Sequence, residues 1–422
     1  MRGGLTLVAG VLVGNVLGFV RVALTAYLLG THSLADSLAV AMGPLDTLNS
    51  LLINGIVFAF VPMLTACALA ERTGLFLKVS RCFAWALTAF AAAAILAAPL
   101  LMKALAPGLD PRYFGVAVTN LRVMTASVVP AGIAAVHFAQ LYTERRFGLA
   151  AFYQAALNLS MVVSALCLWK AFGVYAFGIG YAAGAWVQLA VVWFATRARL
   201  DTAAAPPSRV GWGEILAKPA FYMIYAAGIG LNIVFTRAWA TRGGPGMAAA
   251  LDYCMRGVSV PLAILVTPVS NSLLPEIARL RAAARVREAL HLIDRTVGLT
   301  ALAAVAACAF ALLFRHPAIA LLFQRGSFTA DSTRLVSAVF VGLGPSLVGW
   351  SLIEVASRSL FGLDRPWPPV IAAAIPLLLN VTITLRLQSM RPELIGLGAS
   401  VGFLAGAVAL IAMAHVSRKN WA

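Results

Sequence analysis

Apolar segments of about twenty residues recur along the chain from one end to the other. Of its 422 residues, 61% are hydrophobic and only 11% are charged, and the mean hydropathy is +0.90. Because a helix rises about 1.5 Å per residue, about 20 apolar residues cross the ~30 Å hydrocarbon core of a bilayer. Soluble globular domains do not carry this much apolar surface. The sequence therefore predicts a polytopic membrane protein.

The apolar runs are continuous, which predicts an all-α fold, because the strands of a membrane barrel show short alternating segments instead. We expect about twelve transmembrane helices, and the second, eighth and tenth are long enough to require tilting, bending or projection from the membrane. The predicted helices are Leu5–Leu29, Ser33–Leu69, Leu75–Leu101, Phe114–Tyr142, Phe147–Trp169, Phe172–Thr196, Ala220–Ala240, Met247–Leu280, Ala289–Phe314, Ser332–Leu363, Pro369–Leu385 and Leu394–Val416.

The longest polar connection, "RARLDTAAAPPSRVGWGEILAK", falls near the middle of the chain. It predicts an N-terminal six-helix lobe over residues 1–200, a cytoplasmic linker over 201–218 and a C-terminal six-helix lobe over 219–422. The halves also share a pattern, because "RVMTASVVP" followed by "RRFGLAAFYQAALNLSMV" is similar to "RLVSAVFVGLGP" followed by "RSLFGLDRPWPPVIAAAIPLLLNVTI". Six helices per half make this a parallel repeat, with a pseudo-twofold axis along the membrane normal and a central cavity.

The net charge of +17 is carried mainly by short loops between the predicted helices, which argues against a nucleic-acid partner. Alternate loop sets hold 19 and 10 Lys and Arg residues, with Arg237 counted in the smaller set. The positive-inside rule then places both termini in the cytoplasm and the loop Phe314–Ser332 on the opposite side of the membrane.

The loop count leaves three basic residues inside the predicted helices: Arg21, Arg122 and Arg256. Of these, Arg21 and Arg256 lie in opposite halves and are the candidates for a functional site. A charge at the centre of a membrane helix costs at least about 3 kcal/mol. Either side chain could reach an interface or pair between helices. The alternative that we favour is that both line a water-filled cavity. A guanidinium presents a fork of donors that matches phosphate, so the expected substrate is anionic and bears phosphate.

Acidic and amide side chains occur in the same helices as these arginines. Asp36 lies near the start of a helix, where it would interact with the helix dipole or contribute to the substrate site. Asp46 and Asp252 are candidate counter-ions for the arginines or ligands of a coupling cation. Asn49 shares a helix face with Asp46, three residues away, and is a further candidate for the cavity.

Glu354 and Arg358 are four residues apart and are expected to form a helical ion pair, with a counter-ion or coupling role as the alternative. Catalytic signatures are missing from the sequence: it contains no P-loop, no HExxH, no GxSxG and no CxxC. We therefore expect a transporter rather than an enzyme, with no cofactor and no bound metal, driven by the membrane potential or a cation.

Several motifs together resemble the MurJ/MviN family of lipid II flippases, which belongs to the multidrug/oligosaccharidyl-lipid/polysaccharide exporter superfamily. They are "LGFVRVALTAYLLG", "ADSLAVA", "FVPML", "ERRFGLAAFYQAALNLSMV", "ALDYCMRGVSVPLAILV", "LLPEIARL", "LLFQRGSFTADSTRLV" and "SRSLFGLDRPWPPV". These motifs follow one another in the same order as in the family, between about residues 12 and 385. The resemblance implies two six-helix lobes, a central cationic cavity and alternating access.

The resemblance also implies the substrate: an undecaprenyl-pyrophosphate-linked glycan, lipid II, moved from the cytoplasmic to the periplasmic leaflet. It further implies a bacterial inner membrane, so that the loop Phe314–Ser332 would lie in the periplasm. Arg21, Asp36 and Arg256 fall on cavity positions of the family. This chain departs from the family pattern at Val22 and Met255, where Asp is usual, and at Asn49, where a basic pair begins.

Family members have fourteen helices, and we predict twelve here, so alternatives to lipid II transport stay open. They are another polyprenyl-linked oligosaccharide, multidrug export, and a non-transporting scaffold in cell-envelope assembly. Membrane lipids and cell-wall synthesis enzymes are the expected partners.

Overall fold

The computed structural model describes residues 2–66, 69–144, 153–197, 211–388 and 391–417, and these are almost entirely helical. In this part of the chain, ten helices are long and apolar enough to cross a membrane, or eleven if one bent pair is a single span. The predicted fold class, an all-α multi-pass membrane protein, is confirmed. The helices are α1 (Arg2–Leu29), α2 (Ser33–Ala66), α3 (Leu69–Leu105), α4 (Pro111–Thr125), α5 (Val128–Thr143), α6 (Tyr153–Phe172), α7 (Tyr175–Thr196), α8 (Trp212–Ala240), α9 (Met247–Pro261), α10 (Thr267–Ala282), α11 (Val286–Leu313), α12 (Arg315–Phe323), α13 (Ala330–Leu343), α14 (Ser346–Gly362), α15 (Trp367–Leu387) and α16 (Leu397–Ser417).

Three of the predicted helices are interrupted, each next to a proline. The fourth breaks between α4 and α5, where Pro130 has no N–H to continue the hydrogen-bond ladder. The tenth breaks before Pro345, and α13 and α14 are bent by 46°. In the eighth, α9 ends at Pro261 and a π-helical turn, Leu262–Val266, leads into α10. Pro268 follows this turn at the start of α10, and the widened turn relieves the clash between its ring and the preceding turn.

Several helix boundaries differ from the sequence prediction, and two of the differences change a predicted connection. Helix α8 begins at Trp212 rather than Ala220, so residues 212–218 of the predicted linker are helical. Hydropathy locates the apolar part of a helix but not the polar turns that precede it. Helix α12 occupies much of the predicted loop Phe314–Ser332, and its nine residues are too few to cross a membrane. The rest of the predicted linker to residue 210, and the start of the predicted fifth helix, lie outside the described residues.

The chain forms two compact units. The first contains Met1–Thr25 and Ser33–Met223, and the second contains Ala26–His32 and Ile224–Ala422. In the first unit, α2 packs against α4 and α5, and α6 packs against α7. A Cβ at Gly180 would lie 2.7 Å from the Met161 Cα, so the glycines of α7 bring its backbone against α6. The exposed apolar side chains of α3, Trp85 and Leu96 among them, are suited to lipid.

In the second unit, α16 packs against α14 and α15, α10 packs against α14, and α9 packs against α13. Glycines again bring helices together: a Cβ at Gly402 would lie 2.6 Å from the Pro376 carbonyl oxygen. The same unit includes the end of α1 and the turn that follows it, through hydrogen bonds at one end of the helices. The Ser327 N–H donates to the Tyr27 carbonyl at 2.8 Å, and the Tyr253 hydroxyl donates to the Gly30 carbonyl at 2.8 Å.

Candidate functional site

Arg21 lies on α1 and is 3% exposed. Its Nη1 donates to the Met42 Sδ at 3.0 Å and lies 3.5 Å from the Met161 Sδ. Within the described residues, its Nε is buried without a hydrogen-bond partner. Thioether sulfur is a weak acceptor, so this guanidinium keeps most of its capacity to donate hydrogen bonds. The side chain is buried in this structure, whereas the sequence predicted that it lines a water-filled cavity.

The other predicted site residues of the first unit lie on α2. Asp36 is in the first turn, where a carboxylate interacts favourably with the helix dipole, and it is 3% exposed. Asp46 and Asn49 lie further along the helix and are partly exposed. The Asn49 Oδ1 is buried and accepts no hydrogen bond from the described residues. The first unit therefore combines a buried cation with an amide oxygen that has unused bonding capacity.

Asp252 lies on α9 in the second unit and forms an ion pair with Arg237 at the end of α8. The two side chains are 10% and 14% exposed. Sequence analysis expected a counter-ion role for Asp252. It counted Arg237 with a loop, although the residue falls within the predicted helix Ala220–Ala240, and the structure places it on α8. Arg237 lies three residues before the end of α8, where an apolar helix meets "TRGG", and hydropathy does not separate these two environments.

Arg256 lies one turn after Asp252 on α9 and is partly exposed. Its placement four residues later puts it on the same helix face as Asp252. That Arg21 and Arg256 line one cavity stays a prediction.

Glu354 and Arg358 form the helical ion pair that their spacing predicts. The Arg358 Nε donates to the Glu354 Oε1 at 2.9 Å on α14, and the side chains are 17% exposed for Glu354 and 23% for Arg358. A coupling role for either residue stays a prediction.

Sequence analysis missed a buried amide in each unit, although both lie in the repeated pattern. The Asn158 Nδ2 on α6 donates to the Gly14 carbonyl of α1 at 3.2 Å. The Asn380 Nδ2 on α15 donates to the Asn232 Oδ1 of α8 at 2.5 Å and to the Thr236 Oγ1 at 2.8 Å. In each unit, therefore, an asparagine bonds to the first helix. The recurrence of Asn beside Leu in both halves was the available signal.

Within the described ranges, no group of three or more His, Cys, Asp or Glu side chains could hold a metal ion. The chemistry that the placed residues offer is recognition of an anion by arginine, rather than bond making or breaking.

Comparison with known proteins identifies relatives over nearly the whole chain. The family model described as "Lipid II flippase MurJ" matches residues 25–420. A probable lipid II flippase MurJ of Rhizobium meliloti (strain 1021) is 29% identical over 407 residues, which cover 90% of this chain and 74% of that protein. The lipid II flippase MurJ of Burkholderia cenocepacia is 26% identical over 387 residues, which cover 87% of this chain and 74% of that protein.

Solved structures share the fold. A structure of the lipid II flippase MurJ in an inward closed conformation superposes with a TM-score of 0.84 at 17% identity, covering 97% of this chain and 87% of that one. An inward-facing multidrug resistance transporter of the MATE family, in the MOP superfamily, gives the same TM-score at 13% identity, covering 96% of this chain and 95% of that one. The fold is thus one that MurJ and MATE transporters have in common.

Proposed function

The chain belongs to the MurJ family of lipid II flippases, and we propose that it moves lipid II from the cytoplasmic to the periplasmic leaflet by alternating access. The membrane is the inner membrane of a bacterium, with both termini in the cytoplasm. The substrate joins an undecaprenyl chain to a glycan through a pyrophosphate. Its ionised oxygens are the acceptors that a guanidinium fork recognises.

The observation that carries this proposal is the state of Arg21. A buried guanidinium is stabilised most by ionised acceptors, yet its hydrogen-bond acceptors among the described residues are two sulfur atoms. A transporter must bind its substrate and also release it. A buried cation that lacks a carboxylate partner of its own can bind a pyrophosphate in one conformation and lose it in another.

Arg256 supplies a second cation in the other unit, and we assign it to the same substrate. Asp36, Asp46 and Asn49 would adjust the local charge around the headgroup or bind a coupling cation. The membrane potential or that cation would drive the cycle. Cell-wall synthesis enzymes are the proposed partners on either side of the transport step, because they make and consume the substrate.

Complementation tests this proposal. The chain is expressed in a bacterial strain whose own lipid II flippase can be depleted, and growth and membrane levels are measured. We expect the wild-type chain to restore growth and the Arg21→Ala variant to fail at equal membrane levels. Arg21→Lys keeps the charge without the fork, so we expect it to retain part of the activity.

Two results would contradict transport of lipid II. If the wild-type chain is present in the membrane but growth is not restored, then another polyprenyl-linked substrate or multidrug export becomes the better account. If the Arg21→Ala, Arg256→Ala double variant supports normal growth, the arginines do not carry the function and a scaffold role is favoured.

A further inference from the structure

The two units repeat an arginine and an aspartate with the same spacing. Arg21 precedes Asp36 by fifteen residues, and Arg237 precedes Asp252 by fifteen residues. In both units the arginine lies on the first helix and the aspartate on the second. The asparagines Asn158 and Asn380, each bonded to the first helix of its unit, extend this correspondence to a further helix.

The repeated arginines have different acceptors. Arg237 donates to the Asp252 carboxylate. Arg21 donates to the sulfur atoms of Met42 and Met161 instead, although its unit also contains an aspartate at the repeated position. The arginines at these two corresponding positions thus donate to different acceptors, one to a carboxylate and the other to thioether sulfur atoms.

The methionines also have counterparts in the repeat. Met42 follows Asp36 by six residues, and the residue six after Asp252 is Val258. Met161 follows Asn158 by three residues, and the residue three after Asn380 is Ile383. Valine and isoleucine side chains have no lone pair to accept a hydrogen bond. At these two repeated positions, a sulfur acceptor stands in the unit whose arginine has no carboxylate acceptor among the described residues, and an alkyl side chain stands in the other.

We infer that Met42 and Met161 are positioning residues that hold the Arg21 guanidinium in a weakly bonded, exchangeable state, from which the pyrophosphate of the substrate displaces them. This rests on the proposed function. Alkyl side chains would leave the buried cation with no acceptor, which is costly. A carboxylate would bind it as tightly as Asp252 binds Arg237, and the substrate would have to break that pair. A thioether binds the guanidinium more strongly than an alkyl group and less strongly than a carboxylate, because its sulfur is polarisable but is a weak hydrogen-bond acceptor.

Two substitutions at Met161 separate this role from simple packing. Met161→Leu removes the acceptor at nearly constant volume. Met161→Glu places a carboxylate of similar length beside the guanidinium. We expect the glutamate variant to be at least as stable as the wild type and the leucine variant to be less stable. Translocation should fall roughly tenfold or more for the glutamate variant, because the substrate must then break an ion pair, and by about threefold for the leucine variant, which no longer positions the guanidinium.

Met124 provides the matched control, since it is fully buried in the same unit and its sulfur is not among the acceptors of Arg21 within the described residues. Met124→Leu should leave translocation unchanged, and Met124→Glu should lower stability because its carboxylate is buried without a cation. Met42→Glu and Met42→Leu repeat the test at the second sulfur. If Met42→Glu and Met161→Glu destabilise the protein as much as Met124→Glu does, the guanidinium does not face the sulfurs and the inference is overturned.

The assay is translocation of fluorescent lipid II by purified protein in proteoliposomes, with the melting temperature of the same preparations. Inorganic pyrophosphate is added in a second arm, to separate recognition of the phosphates alone from recognition of the lipid-linked headgroup. If the Met161→Glu variant is stable and translocates lipid II normally, the exchangeable state is refuted although the proposed function stands. If the wild type does not translocate lipid II, the proposed function fails, and the order of stabilities still tests whether Arg21 is bonded to sulfur.

Discussion

The Arg237 guanidinium and the Asp252 carboxylate form an ion pair between α8 and α9, and neither side chain is more than 14% exposed. Removing one partner of a buried pair leaves an uncompensated charge, which typically costs about 3–5 kcal/mol. Replacing both partners by apolar residues avoids that cost. The pair therefore stabilises the second unit only while both of its members are present.

We predict that Arg237→Met and Asp252→Leu each lower the melting temperature of the purified protein clearly, and that the double variant recovers most of the loss. The exposed pair of Arg334 and Asp331 is the control, since its side chains are 73% and 82% exposed. Such surface pairs contribute roughly 0–1 kcal/mol, so Arg334→Met should change little. Equal losses for the single variants and the double variant would argue against a buried pair.

The turn after α1 depends on glycine. Gly30 has a φ of +57°, and a Cβ there would lie 2.2 Å from the Ser327 carbonyl oxygen. Gly173 has a similar φ of +53°, but nothing lies within 4 Å of its Cβ position. We expect Gly30→Ala to lower stability and activity strongly, and Gly173→Ala to cost only about 1 kcal/mol of backbone strain. The comparison is made by thermal unfolding and complementation, and similar effects at both positions would mean that the backbone approach at Gly30 has no energetic importance.

The buried amide of Asn380 should stabilise the second unit through its bonds to Asn232 and Thr236. Asn380→Leu removes these bonds and leaves the buried Asn232 Oδ1 without this donor, which we expect to cost about 1–3 kcal/mol. Asn120 is the control, because it is fully buried and both of its amide atoms lack a partner among the described residues. Asn120→Leu should be neutral or stabilising. A larger loss at Asn120 than at Asn380 would contradict the proposed role of the amide.

The topology is tested by cysteine labelling in a variant without native cysteines. Arg325 and Ala283 are both exposed and lie in loops that the positive-inside rule assigns to opposite sides of the membrane. A membrane-impermeant maleimide added to intact cells should label Arg325→Cys and not Ala283→Cys. Permeabilisation should make both accessible. If only Ala283→Cys is labelled in intact cells, the chain has the opposite orientation in the membrane to the one predicted.

The sequence predicted the helices well because each apolar run must satisfy its own backbone hydrogen bonds in a bilayer. The breaks near Pro130 and Pro345 could have been read from the prolines, but hydropathy alone merges the segments on either side. The burial of Arg237 could not be predicted from hydropathy, because its partner lies on the next helix and the pairing is a tertiary contact.

The environment of Arg21 likewise depends on tertiary contacts that hydropathy cannot predict. Its charge within an apolar run marked it for a functional role, but Met42 and Met161 lie 21 and 140 residues away and look like ordinary core residues in the sequence. Only packing of α2 and α6 around α1 brings their sulfur atoms to the guanidinium. Asn158 and Asn380 were detectable in principle, because the repeat placed both beside leucine in equivalent helices.

The most direct test of the account is translocation of lipid II by the purified chain in proteoliposomes, measured as the fraction of fluorescent lipid II that an impermeant quencher can reach over time. We predict that the wild-type protein equilibrates lipid II between the leaflets and that Arg21→Ala, inserted at the same density, does so no faster than empty liposomes. Failure of the wild type, or undiminished translocation by Arg21→Ala, would contradict the claim that this chain moves lipid II by means of Arg21.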